Sequence, residues 1–545
     1  FETGGRLGAD GSVVEGLEQV DVENLLTQII SQDPESVAIN LLFSFVNPKF
    51  EIILEKAIAR RLPSVSVSRS STVLPVYKEF ERGVATWLNA ALQPVIHRYL
   101  VSLKENLANS KLQIMQSSGD TISGETAAGK AVNLLLSGPA GGLKAVQYIG
   151  KEIGEKKLVS FDMGGTSTDV ALIDGKIETT TEGTLGSYPI AVPMLDMHTI
   201  GAGGGSIAFI DEGGLLRVGP QSSGASPGPA CYAKGGLEPT VTDAHLVLGR
   251  LSDKSGLAGG LTLEKKLAIA AVKKISFPLG LSVETVARGI IQIANEHMVE
   301  AIRLISVNRG HDPKEFTLVS FGGAGGLHVC EIAEGMQMER AIVPAYGGVL
   351  SALGMLTAER GRQFVHTVNL IADNSTERDI DKRFAKLSEE GRQVLISEGI
   401  DEENLRVDYS ADCRYEGQSY TLNLVWGGLP NFSALFAELH KLRYGYSLKE
   451  KVEIVNLRAT VYTPARDFSL TDFSIDDGLN NFNVSIRVSG ETGEELVQTE
   501  ELKAGNKING PAVISQYAST TYVAPGWQAH FDVKGNLSLA IKKVD

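Results

Sequence analysis

The sequence predicts an α/β protein with a β-rich C-terminal domain. Three observations carry this expectation. Residues 19–68 alternate between helical and strand spacing of apolar side chains. Two glycine-rich turns each follow a short apolar run, one at Phe161 and one at Phe321. From Leu405 onward, period-two alternation dominates.

Taken in order, Val20–Ile30 has helical spacing, and Val37–Val46 (VAINLLFSFV) reads as a buried strand. Phe50–Arg61 is a second helix and Val65–Val67 a second strand. Glu79–Leu107 is expected as a long amphipathic helix interrupted at Pro94, which lacks a backbone donor. Lys111–Gln116 reads as strand and Thr126–Leu136 as helix. Val283–Ser306 carries a core stripe that includes Ile290, Ala294, His297, Met298 and Ile305. Phe316–Ser320 and Glu339–Pro344 are strands, and Gly347–Met355 is a helix of small residues suited to tight packing. Arg378–Glu398 is a charged amphipathic helix. Strands are expected at Arg414–Val425, Val452–Thr463, Val484–Val488 and Ala512–Val523.

Bulk properties narrow the function classes. A chain of 545 residues is too long for one core, so two to four domains are expected. A net charge of −14 with no Lys/Arg cluster makes nucleic acid an unexpected partner. No apolar run is long enough to span a bilayer and no signal peptide is visible, so the cytoplasm is the expected location. Cys231, Cys330 and Cys413 lie far apart with no CxxC, which fits a reducing compartment and not a disulfide framework or structural zinc. The chain does not begin with Met, and its first residues read as the middle of something.

Chemistry concentrates in glycine-rich strings. FDMGGTSTDV, Phe161–Val170, reads as strand, tight turn, strand. Paired glycines let backbone N–H groups crowd around an anion with no Cβ in the way. Thr166, Ser167 and Thr168 add hydroxyls, and Asp162 and Asp169 are placed to hold a hydrated cation. The same string also suits a plain glycine hairpin with capping hydroxyls. SGPAGG, Ser137–Gly142, precedes a helical pattern and points free N–H groups at one spot, or serves as an ordinary helix start. HTIGAGGGS, His198–Ser206, offers His198 as a ligand or base, or as a structural histidine. Asp243 is expected to cap a helix from Ala244 and to be a candidate for lining a site. FGGAGGLH, Phe321–His328, follows a strand and opens a helix, the order that suits nucleotide contact.

Two such turns about 160 residues apart resemble the layout of the actin/hexokinase/Hsp70 ATPase superfamily (ASKHA, ribonuclease H-like lobes), with one turn for phosphates and one for adenosine. SRSSTVLPVYKEFER, SGPAGG, FDMGGTSTDV, HTIGAGGGSIA, GPACY, EPTVTDAHLVLGRL, FGGAGGLH and DCRYEGQSY, in that order, make the resemblance specific. Together they resemble the hydantoinase A / 5-oxoprolinase family over nearly the whole chain. The resemblance implies the remainder of an N-terminal lobe over 1–115, an ATPase core over 116–365 and a C-terminal α+β domain over 366–545.

The resemblance further implies ATP-dependent hydrolysis of a cyclic amide (a hydantoin, 5-oxoproline or similar lactam) through a phosphorylated amide oxygen, with ATP and Mg²⁺. A hydantoinase B-type subunit in a hetero-oligomer is the implied partner. A related outcome is a subunit of a ketone carboxylase of the acetone or acetophenone type. By similarity, Gly164, Gly165, Thr166, Ser167 and Thr168 cradle phosphate, while Asp162 and Asp169 orient Mg²⁺ or the attacking group. Gly322, Gly323, Gly325 and Gly326 face adenosine; His198 and Gly203, Gly204 and Gly205 lie near the substrate or the subunit junction. Family members carry a further DxGGTFTD-like turn in the opening strand of the first lobe. None precedes Phe161 here, so the chain is expected to begin late in that lobe, with a non-catalytic scaffold as the consequence if the missing part is truly absent. Gly326 stands where many relatives have Pro.

Overall fold

A computed structural model describes residues 1–107, 110–253, 260–465, 468–472, 497–498, 502–516 and 518–542. The expected strand Val484–Val488 lies outside them. The chain forms two units and alternates between them: Phe1–Ala140, Thr179–Leu195 and Ala358–Arg466 make the first, and Gly141–Glu178, Asp196–Thr357 and Asp467–Asp545 the second.

In the first unit, the helices Gln19–Ser31 and Lys49–Arg61 accompany a parallel strand pair, Ser36–Ile39 with Ser66–Arg69. Val22, Leu25, Leu26, Ile29, Leu54 and Ile58 bury one stripe of each helix. The helix Glu79–Asn106 is continuous through Pro94 instead of being interrupted there. Burial on both sides holds it: Val84, Ala85 and Leu88 enter one core, and Leu100 joins Ile122 and Ala127 in another. That burial outweighs the ~3 kcal/mol that an interior proline costs.

The SRSST…KEFER string forms a buried polar knot. Arg82 is 0% exposed and donates to Asn40 Oδ1, Val76 O and Leu41 O, while Glu51 accepts from Ser70 Oγ and the Leu41 and Ser71 N–H groups. A six-stranded sheet completes this unit, in the order Leu422–Val425, Arg406–Tyr415, Val452–Thr463, Arg360–Ile371, Thr121–Ser123, Gln113–Met115. The expected single strand Arg414–Val425 is two strands, because the chain turns between them with Gly417 at φ +85°.

The second unit is built on a nine-stranded sheet. Its main path runs His198–Ile200, Thr168–Asp174, Lys157–Met163, Thr317–Phe321, Arg340–Val343, Leu537–Ile541, Trp527–Phe531, Lys507–Asn509. Lys157–Met163, Thr317–Phe321 and Arg340–Val343 are parallel, and the outer pairings are antiparallel. Side chains alternate across the sheet. Leu158 and Ile173 lie on one face with Ala145, Val146 and Ile149 of the helix Ser137–Ile153. Val159, Phe161, Met163 and Val170 lie on the other with Ile290, Ala294 and Met298 of the helix Val283–Ile305.

SGPAGG lies within the first turns of its helix and is not a loop ahead of it. A Cβ on Gly141 would stand 2.7 Å from Ser351 O, one on Gly142 2.7 Å from the Phe321 ring, and one on Gly354 1.7 Å from Gly141 O. These glycines let the helices Ser137–Ile153 and Leu350–Thr357 cross at backbone contact. Among the described residues, no helix is long and apolar enough to cross a membrane.

Candidate functional site

The hairpin expected at FDMGGTSTDV is present. Lys157–Met163 pairs antiparallel with Thr168–Asp174, and Asp162 stands directly opposite Asp169. Cross-strand partners project to one face, so the two carboxylates are neighbours at the end of the hairpin. Burial and the charge of Asp169 push Asp162 up to about 6. Burial also raises Asp169, opposed by the Thr199 hydroxyl, which donates to its Oδ1 at 2.5 Å. Thr199 escaped the sequence reading; its place opposite Asp169 depends on the pairing of His198–Ile200 with Thr168–Asp174.

Beyond the carboxylates, the turn is open. Gly165 and Thr166 are exposed, and a Cβ on Gly165 would meet nothing within 4 Å. Gly164 N–H closes the turn onto Ser167 O at 3.0 Å. Among the described residues, the N–H groups of Gly165, Thr166 and Ser167 have no hydrogen-bond partner. The Thr168 hydroxyl is buried on the opposite face and donates to Ala202 O at 2.6 Å, so it does not share the open side of the turn.

The glycines of the GAGGGS loop back the turn. Gly204 N–H donates to Gly164 O at 3.0 Å, Gly205 N–H to Gly165 O at 2.7 Å, and Gly203 N–H to Ser206 Oγ at 2.9 Å. All three donors are therefore engaged. A Cβ on Gly203 would stand 2.6 Å from Thr166 N, and one on Gly205 2.9 Å from Gly165 O. These residues must be small because two backbones touch there.

The FGGAGGLH turn adjoins the same hairpin. Phe321 is the parallel partner of Asp162, which brings Gly322 to the carboxylate end. Gly322 has φ +79°, and a Cβ there would lie 2.4 Å from Met163 O and 2.5 Å from Asp162 Oδ1. Ala324 N–H donates to Met163 O at 3.1 Å. Gly323 is exposed, whereas Gly325 and Gly326 are buried, packed against Ser320 and against Thr520 and Thr521.

His198 does not join this group. It pairs with Val170, so its side chain leaves the sheet on the face opposite the two aspartates. There it lines a separate cleft of about 960 Å³ with Asp211, Arg217, Glu296, Glu300 and Arg303. His297, read in the sequence as part of the helix's core stripe, is exposed and lines this cleft too. Burial, with Arg309 nearby, lowers the His198 pKa, opposed by Asp196. Asp243 is the third residue of the helix Val241–Val247, whose cap is Thr240. Its carboxylate accepts from the N–H groups of Ala230, Cys231 and Thr240 and lines no open space.

The hydantoinase/oxoprolinase model matches residues 82–363, that family's N-terminal region matches 1–62, and its C-terminal domain 492–539. An uncharacterized protein of Methanocaldococcus jannaschii is 36% identical over 99% of this chain and 82% of its own length. The chain belongs to the hydantoinase/oxoprolinase family. The caprolactamase subunit alpha of Pseudomonas jessenii is 33% identical, over 98% of this chain and 80% of that subunit. The crystal structure of the ATP-dependent caprolactamase from that organism superposes with a TM-score of 0.85 at 31% identity, covering 99% of this chain and 82% of that one. The 5-oxoprolinase of Saccharomyces cerevisiae is 32% identical over 96% of this chain, which spans 43% of that longer protein.

Proposed function

We propose that this hydantoinase/oxoprolinase family member hydrolyses a cyclic amide at the expense of ATP, as the A-type subunit beside a B-type partner in the cytoplasm. One observation carries the reading: an open glycine turn with three unengaged N–H groups sits against two facing carboxylates. The Gly164–Ser167 turn would receive phosphate oxygens through the Gly165, Thr166 and Ser167 N–H groups. Gly203, Gly204 and Gly205 would support that turn from behind, and Thr168 would fasten it to Ala202. Gly323 would be the part of FGGAGGLH open to a nucleotide, with Gly322, Gly325 and Gly326 serving its packing. In this reading the glycine turns belong to an actin/hexokinase/Hsp70-like lobe.

The carboxylates suit Mg²⁺. Among the described residues no cluster of three or more His, Cys, Asp or Glu side chains could hold a metal alone. Two carboxylates with phosphate and water as the remaining ligands are the usual provision for this ion. Bound there, Mg²⁺ would offset the negative charge of the phosphates. Asp162 and Asp169 would hold it in their ionised forms, and the Thr199 hydroxyl keeps Asp169 oriented.

A lactam carbonyl is a poor electrophile, which is why ATP is consumed. The amide oxygen takes the γ-phosphoryl group and ADP leaves. Water adds to the activated ring carbon, the C–N bond breaks and the amine departs with a proton. A second water releases phosphate from the resulting acyl phosphate. The turn's N–H groups stabilise charge that builds on the moving phosphoryl. His198, on the other face of the sheet, takes no part in these steps.

The test is lactam-dependent release of ADP and phosphate by the chain with a B-type subunit, using 5-oxoproline, caprolactam and hydantoin. Equal release of ADP and ring-opened product is expected. Incorporation of labelled bicarbonate into a ketone, without ring opening of any lactam, would replace hydrolysis with carboxylation.

A further inference from the structure

The helix Val241–Val247 is linked through buried polar groups to the loop that backs the hairpin turn and to the end of the FGGAGGLH segment. At its start, the N–H and Oγ1 of Thr242 donate to Gly204 O at 2.8 and 2.7 Å. Gly204 N–H in turn donates to Gly164 O at 3.0 Å, which ties the helix to the hairpin turn. One turn further along, His245 Nε2 stands 3.0 Å from His328 Nε2, and His328 closes the segment that begins at Gly322. Both rings are buried, at 1% and 0% exposure, with centroids 4.6 Å apart and planes at 87°.

The surrounding network assigns every proton. Asn295 Nδ2 donates to Glu331 Oε2, so Asn295 Oδ1 accepts, and His328 Nδ1 donates to it at 2.6 Å. A neutral His328 then has a bare Nε2, and His245 must donate from its own Nε2. That leaves His245 Nδ1 bare, and it has no partner among the described residues. The donors run one way, from His245 through His328 and Asn295 to Glu331. Glu331 also accepts from Arg250 Nη2 at 2.7 Å, and the Arg250 guanidinium lies 4.2 Å over the Tyr522 ring. A buried polar chain with this directionality is costly to place beneath a glycine turn, and an apolar residue at 245 would avoid leaving Nδ1 unpaired.

We propose that His245 is a positioning residue: its hydrogen bond to His328, together with the Thr242–Gly204–Gly164 link, holds the turn at Gly322–Gly326 in register with the turn at Gly164–Ser167. The inference rests on the reading of those turns as a nucleotide site. The side chain touches neither carboxylate of the hairpin; it acts through His328.

Two variants of the full chain separate this role from simple filling of space. His245→Gln keeps an N–H that can reach His328 Nε2, whereas His245→Leu fills similar volume without a donor. Exchange of the hydrogen-bonded amides of Gly164, Gly204 and Gly205, and of 322–328, is measured without nucleotide, and MgATP affinity by calorimetry. In His245→Leu, exchange should quicken in both groups and affinity should fall about tenfold. His245→Gln should restore both to within about twofold of the parent. Unchanged exchange at Gly164, Gly204 and Gly205 in His245→Leu, or equal losses in the two variants, would overturn the proposal. Should His245→Leu not fold, Thr242→Val tests the same link from the other end. Faster exchange at 322–328 supports coupling, and unchanged exchange there contradicts it. A parent chain that does not bind MgATP sinks the nucleotide reading alone, because the exchange comparison still decides the coupling.

Discussion

Asp162 meets Asp169 across one antiparallel pair, and burial with that neighbouring charge raises it to about 6 from an ordinary value near 4. The folded state therefore holds this proton more tightly than the unfolded chain does. Its contribution to stability is complete below pH ~4 and is lost as pH rises through about 6. Ionised without a cation, Asp162 costs up to about 3 kcal/mol at neutral pH. Asp162→Asn is thus expected to melt higher than the parent at pH 7.5 and level with it at pH 4, while losing MgATP binding. A melting difference that is the same at both pH values would show that the carboxylate is not the source. The glycines divide just as sharply. Gly165→Ala adds a Cβ to open space, so stability should stay within about 0.5 kcal/mol while nucleotide affinity drops. Gly203→Ala drives a Cβ to 2.6 Å from Thr166 N, and denaturant titration should show a loss of about 1–3 kcal/mol.

At the scale of elements, the hairpin around GGTS was legible because its cue is local: two apolar runs flanking a glycine turn. The face to which His198 points was not. It depends on the pairing of His198–Ile200 with Thr168–Asp174, and a shift of one residue reverses every side chain. Likewise, the SGPAGG glycines answer to Ser351 and Phe321, about 200 residues away in sequence, so nothing in the string marks them as a helix crossing. His328 stood inside a recognised motif without a role, since its partners His245 and Asn295 come from two other helices. The DCRYEGQSY string is also an element-scale device. Asp412 is 4% exposed and accepts from Arg458 Nε and Nη2 at 2.9 and 2.7 Å, with Asn456 and Asn423 adding donors. Burial works against its charge, but Arg458 and the two asparagines prevail and hold the pKa below the usual range. Asp412→Ala would strand a buried guanidinium. A loss of about 3–5 kcal/mol is expected, with MgATP affinity unchanged in the folded fraction. Reduced affinity in fully folded Asp412→Ala would place this ion pair in the nucleotide site.

For the whole molecule, the sheet that carries the carboxylates is assembled from distant segments. Leu537–Ile541 pairs with Arg340–Val343, so the C-terminal strands complete the sheet built on Lys157–Met163 and Thr317–Phe321. Parallel pairing across some 160 residues gives the strand ends at Asp162 and Phe321 their common edge, where the two glycine turns meet. The most direct measurement is calorimetric titration of the full chain with MgATP, beside its Asp162→Ala variant. Saturable, Mg²⁺-dependent binding by the parent, lost in the variant, is the expected result. No binding by the parent, or equal binding by Asp162→Ala, would contradict the assignment of this hairpin as the phosphate and cation site.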